Sequence, residues 1–203
     1  MWYSRFAVVL LGFGLGFAAD GQPGGREHVV AIVLNTEFPL SPMTERAMRE
    51  ELGRLLRPAG IRPVVHHDSH LLDLGMAGEV IWVRCRGCSE IPAGKAVSRP
   101  AGPLGWVRCV DEEMQPFITL DCPLVAAHLR EILVTPQQFS AKPQMGRALA
   151  RVLVHELMHY LTRSRLHLGS RLFREDMDPQ TLLEPGVVLE DVDVEALRRT
   201  LAH

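Results

Sequence analysis

Two histidines one helical turn apart, with a glutamate beside the first, are the residues of this chain best placed to do chemistry: His155-Glu156-Leu157-Met158-His159. On an α-helix, positions i and i+4 share a face, so both imidazoles can reach one cation at about 2.0–2.1 Å. Glu156 lies about 100° further round the helix. From there its carboxylate can approach water beside the metal without binding the metal itself. A catalytic zinc takes three protein ligands and keeps a fourth position open, so one more donor is required. His167 is the preferred third ligand, because polar Thr162-Arg163-Ser164-Arg165 is suited to ending the helix and turning back. Glu184, Glu190, Asp176 and Asp178 are the alternatives.

The element that must position these groups is the longest helical pattern in the chain, Pro143 to Leu161. Leu149, Val152, Leu153, Val154, Leu157 and Leu161 make it apolar almost all round, which predicts a buried helix. A buried helix rarely carries two His and a Glu unless something satisfies them. The rival arrangement is a pair of core histidines bonded to carbonyls, with Glu156 paired to an arginine.

Upstream, Val29 to Leu34 reads as a buried strand. Ser41-Pro42 supplies a cap and first-turn proline for a helix that Gly60 stops. Ile61–His66 and Glu79–Cys85 are further strands, with Pro63 arguing for weak or edge pairing. Pro- and Gly-rich residues 89–104 form a loop. Gly105–Val110 and Phe117–Cys122, separated by Asp111 to Pro116, form an antiparallel hairpin. Pro123–Leu133 is a short helix capped by Asp121 or Cys122, and Asp193–Leu201 is a closing amphipathic helix. The expected class is α/β (α+β): a mixed five-stranded sheet with an antiparallel edge hairpin, packed on the long helix.

The 203 residues suit one domain, residues 29–203. A net charge of −2 without any Lys/Arg-rich run argues against nucleic acid as a partner. Arg5, an apolar run from Phe6 to Ala19 and small residues at its end have the order of a secretory signal peptide over residues 1–19. Residues 20–28 then form a flexible lead-in. The expected location is secreted or periplasmic, with no stable membrane association after cleavage. Four cysteines agree with an oxidising compartment. The preferred pairing is Cys88 with Cys122 and Cys85 with Cys109. A redox use of Cys85-Arg-Gly-Cys88 is less favoured, since a strand rather than a helix N-terminus adjoins it.

Val154-His155-Glu156-Leu157-Met158-His159-Tyr160-Leu161, followed by His167, resembles the active-site helix of zincin metallopeptidases, nearest to the metzincin pattern HExxHxxGxxH. The order of strands and helices over about residues 29–167 resembles that fold as well. The chain departs from the pattern at two places. Thr162 stands where the family has Gly, and Arg165 where it has the third His, so His167 needs a turn two residues longer. A longer turn could avoid the left-handed conformation that glycine supplies. The resemblance implies a zinc cofactor held by His155, His159 and His167. It implies Glu156 as general base toward a metal-activated water, and a peptide or protein as substrate, which lies along the edge strand in that family. Met177 is a weak match to the methionine that the family places under the metal. Tyr160 could assist at the oxyanion but is expected to pack beneath the sheet.

The other features have plainer readings. His66-His67-Asp68-Ser69-His70 ends a strand, where a four-residue spacing does not align two side chains. His128 reads as a surface or packing residue. Trp82 and Trp106 read as core or cleft wall, and Arg163, Arg165, Arg171 and Arg174 as a solvated face. The rival function is a non-catalytic exported binding module, stabilised by zinc or disulfides.

Overall fold

Alternation along four strands builds one apolar sheet face, and two helices cover it. The computed structural model describes residues 27–37, 39–67, 78–88, 102–132, 141–167, 170–175 and 177–202. The expected signal peptide and most of the lead-in, with His70 and Asp176, lie outside the described residues.

The strands are β1 (His28–Thr36), β2 (Ile61–His66), β3 (Glu79–Arg86), β4 (Gly105–Val110) and β5 (Glu113–Asp121). They form one sheet in the order β2-β1-β3-β5-β4. β1 pairs in parallel with β2 and β3, β3 pairs in parallel with β5, and β4 runs antiparallel to β5 at the edge. This is the expected mixed five-stranded sheet with an edge hairpin. Val30, Ile32, Leu34, Ile61, Ile81, Val83, Ile118 and Leu120 point to one buried face. Trp82 and Phe117, adjacent in register, stand on the opposite face with 38% and 45% of their surface exposed. Trp82 is therefore not a core residue.

The hairpin is tighter than the sequence suggested. β5 begins at Glu113, so Asp111 and Glu112 alone make the turn, both with positive φ (48° and 67°). That conformation suits a two-residue hairpin turn whose twist matches the strands. Pro116 lies inside β5, where the β4–β5 register shifts between Val107 and Cys109. A missing N–H costs least at such an irregularity.

The helices are α1 (Pro42–Leu56), α2 (Cys122–Ile132), α3 (Ala141–Thr162), α4 (Pro179–Leu183) and α5 (Asp191–Leu201), of which all but the short α4 follow the expected helical patterns closely. Ser41 Oγ caps α1 by accepting from Thr44 N (3.2 Å). After a single 3-10 turn, Gly60 ends that unit at φ 77°. Asp121 Oδ1 accepts from Leu124 N (3.1 Å) at the start of α2. Among the described residues no helix is long and apolar enough to cross a membrane.

α1 and α3 pack together beneath the sheet. They come close at Gly146, where a Cβ would stand 2.1 Å from Thr44 O, so only glycine fits. Further along, Glu51 of α1 and Arg151 of α3 meet in the interior, with 6% and 2% of their surface exposed. Arg151 Nε donates to Glu51 Oε1 (2.8 Å) and its Nη1 to Thr181 O (2.7 Å). Arg54 donates to both Glu51 oxygens (2.7 and 2.9 Å). Every charge in the cluster is thus paired, which a buried carboxylate requires.

Cys88 and Cys122 form the expected disulfide, with Cα atoms 5.1 Å apart, tying the end of β3 to the start of α2. The second expected bridge is not formed: Cys85 and Cys109 are free. Cys85 faces the core from β3. Cys109 is exposed on β4, and β5 lies between the two strands. Two strand spacings amount to about 9.6 Å, beyond the roughly 7 Å over which a disulfide can close. Burial pushes the Cys85 thiol up to about 12. With Cys88 already bonded to Cys122, the redox arrangement has neither of its thiols in a reactive state.

Candidate metal centre and cleft

The buried helix α3 brings His155, Glu156 and His159 onto one side, all less than a tenth exposed. The end of that helix makes the site. Ser164 N donates to His159 O (3.2 Å) and Arg163 N to Tyr160 O (3.3 Å). This paired C-terminal pattern demands a left-handed residue just past the helix. Arg163 takes that role at φ 52°. The left-handed conformation is therefore not avoided, as the longer turn suggested. It is carried by a non-glycine, whose side chain is held from two sides. Arg163 Nη1 donates to Met114 O (2.7 Å), and the guanidinium lies 4.2 Å from the Tyr160 ring centroid. The reversed chain then carries His167 back over the helix.

His155, His159 and His167 each offer one nitrogen, and the three lie within 4.8 Å of one another. His159 Nδ1 bonds Ser164 O (2.7 Å), and His155 Nδ1 bonds Leu172 O (2.6 Å). A carbonyl only accepts, so both Nδ1 atoms carry the hydrogen. Burial, followed by opposing and reinforcing contacts, draws the His155 pKa down to about 4, and burial lowers that of His159. Both rings are neutral near pH 7, leaving two lone pairs on Nε2 atoms only 3.1 Å apart. That contact is repulsive unless a cation lies between them. Two ligands at about 2.1 Å in a tetrahedral shell stand about 3.4 Å apart, close to this spacing. The cluster can hold a metal ion.

Glu156 faces the same space from a different angle. Its Oε2 accepts from Val107 N of the edge strand (3.0 Å). The approach depends on Gly105, where a Cβ would meet Val152 Cγ1 at 2.8 Å and Thr119 O at 3.1 Å. Burial raises the Glu156 carboxyl to about 7, against the Val107 N–H, which favours the charged form. Among the described residues Glu156 has no arginine partner, unlike the rival core arrangement.

The surrounding cleft has a volume of about 730 Å³, and its wall includes Leu104, Trp106, Met114, His128, Val152 and Met177. The other proposed groups fall elsewhere. Glu184 pairs with Arg171 (2.5 Å) and Glu190 leads into α5, while Asp178 caps α4. None of these joins the histidine cluster. Tyr160 packs beneath the sheet, donating to Glu79 Oε2 (2.9 Å). Arg165 donates to Cys109 Sγ (2.7 Å) at the cleft rim. His67 pairs with Glu45 (2.9 Å), away from the centre. His128, expected as a surface or packing residue, is only 8% exposed and also lines the cleft. The signal that could have revealed it is its four-residue spacing from Leu124, which puts it on the buried stripe of α2.

The turn that orients His155 has its own support. Glu190 Oε1 accepts from Arg171 N (3.3 Å), and Asp193 Oδ2 accepts from Glu190 N (3.0 Å). Helix α5 thereby anchors the residue adjoining Leu172, the His155 partner. Outer-shell partners of a ligating histidine are commonly worth ten- to a hundredfold in metal affinity. Glu190→Ala should weaken metal binding about tenfold in a chelator competition. Glu195→Ala, on the exposed side of α5, should leave it unchanged.

The site thus belongs to a mixed α/β domain in which three histidines converge above a buried helix beside a sheet edge. No protein-family model matches the chain, and no curated protein or solved structure matches it either.

Proposed function

We propose that the chain is an exported zinc metallopeptidase of the zincin type, with His155, His159 and His167 as zinc ligands and Glu156 as general base. The observation that carries this reading is the pair of facing Nε2 lone pairs 3.1 Å apart, with His167 beside them and Glu156 in the same cleft. A set of imidazole ligands suits zinc better than a hard cation. Zinc in such a shell lowers the pKa of water toward neutrality and polarises a carbonyl. The chain supplies the rest. Leu172 O and Ser164 O hold the two helix histidines in the tautomer that leaves Nε2 free. Val107 N holds one Glu156 oxygen. Glu156 then takes the proton of the attacking water and delivers it to the leaving amine. A cleft of this size accommodates a peptide segment.

Export is supported by the leader-like residues 1–19 and by the Cys88–Cys122 bridge, which suits an oxidising compartment. Metal analysis tests the core of the reading. The wild-type protein should bind one equivalent of zinc, and His155→Ala and His167→Ala should each lose it on dialysis. Full retention by His167→Ala would remove that residue from the ligand set.

A further inference from the structure

Helix α2 brings one polar side chain into the cleft that the metal centre and the general base do not use. His128 is more than nine-tenths buried, yet it shares the wall with Gly102, Leu104 and Val152. Its Nδ1 bonds Leu124 O (2.9 Å), so Nδ1 carries a hydrogen, and in the tautomer this selects Nε2 is the acceptor. Nε2 has no partner among the described residues. The unpartnered side-chain atoms sealed in the described interior are His28 Nε2, Gln144 Oε1, Ser170 Oγ and Asp193 Oδ1. His128 Nε2 is not one of them, and His128 lines the cleft. It also stands outside the group of three histidines able to share a metal.

An acceptor left open on a buried side chain costs stability unless water or a ligand satisfies it. We infer that His128 is a specificity-determining residue of this cleft, its Nε2 accepting a hydrogen bond from a substrate side chain that carries an O–H or N–H donor. The inference rests on the peptidase reading for its choice of ligand, a peptide. Gly102, Pro103, Leu104 and Val152, which share the wall with His128, are uncharged; the charged residues of the lining are Glu156, Arg165 and Glu175. The side chains that fit are uncharged and of modest size: Ser, Thr, Asn or Gln. An aspartate or glutamate would set its own lone pairs against Nε2. Aliphatic side chains would leave the acceptor unpaired, the situation in which polar pockets discriminate best.

The test uses the full exported chain, zinc-loaded, in a Glu156→Gln background that binds without turnover. The probe is a randomised hexapeptide library, with captured peptides identified by mass spectrometry. The parent should enrich Ser, Thr, Asn or Gln at one position. His128→Asn keeps an amide N–H for Leu124 O but deletes the Nε2 acceptor, and should reduce that enrichment about tenfold, the worth of one well-made hydrogen bond. His128→Gln restores an acceptor near the same place and should restore the preference. Zinc content and far-ultraviolet circular dichroism confirm that each variant is folded. A parent without donor enrichment, or a His128→Asn variant with the parent profile, overturns the inference. Hydrolysis is read separately. Wild-type protein that leaves the library uncut would sink the peptidase reading, while the captured profile still decides the role of His128.

Discussion

Glu156→Gln should cut peptide hydrolysis by about a hundredfold or more, within the range typical of a lost general base, and leave zinc content at the wild-type level. Glutamine has the same shape, and its side-chain oxygen can still accept from Val107 N, which now bonds Glu156 at 3.0 Å. Helix α3 and the edge strand should therefore keep their spacing. What glutamine cannot do is hold a proton between the attacking water and the departing amine. Turnover of a quenched peptide, read beside metal content by mass spectrometry, separates the possibilities. Unchanged turnover would show that another group moves the proton. A loss of zinc would mean that Glu156 binds the metal. In a binding module with a purely structural metal, the wild-type protein has no turnover to lose.

The largest effect on stability is expected from Glu51→Gln. Arg151 would then be a buried cation, 2% exposed, with only Thr181 O as a strong acceptor. Breaking a buried pair in this way typically costs about 3–5 kcal/mol. The lower end applies here, because the glutamine oxygen can still accept one bond. Chemical denaturation near pH 7 reads the loss. Replacing both partners, as in Glu51→Leu with Arg151→Met, should recover much of it, since the desolvation cost disappears with the charges. The same pair governs acid sensitivity. Burial pushes the Glu51 carboxyl up, but Arg54 and Arg151 together hold it below its ordinary value. The unfolded chain therefore takes up the proton first as pH falls. The stabilisation is complete above the ordinary carboxylate value of about 4.3 and drains away below it. Glu51→Gln should lack this acid limb. Parallel stability curves for the two proteins between neutral pH and pH 3 would contradict the assignment.

The two predictions rest on contacts of different kinds, one local in sequence and one not. His155 and His159 meet because a four-residue spacing on a helix always places two side chains together. The apolar residues around them already required the helix to be buried. The mixed sheet followed from strand-like runs and from a hairpin too short for any crossover. The Glu51–Arg151 pair is different. It joins residues 100 positions apart and depends on how α1 and α3 approach at Gly146. Nothing in the local pattern of either helix specifies that contact.

The cysteines show the same division. Their even number and the expected export pointed to bridges, and Cys88 with Cys122 is one. Whether Cys85 could reach Cys109 depended on strand order, and β5 lies between them. The turn after α3 is a further case. Polar Thr162–Arg165 predicted a chain reversal, but a left-handed Arg163 is disfavoured by about 1–2 kcal/mol without supporting contacts. Met114 O and the Tyr160 ring supply those contacts from elsewhere in the fold.

Periodicity and composition thus determined the elements, the side of α3 that bears the histidines and the identity of the acid beside them. These are properties of a few consecutive residues, whose backbone geometry is nearly the same in any fold. Tertiary packing decided which carbonyls orient the imidazoles, which strand N–H meets Glu156, and that His128 lines the cleft. Each of those contacts joins different elements. Their meeting is set by burial of the sheet and helices as a whole, a sum over many weak interactions that no short stretch of chain contains.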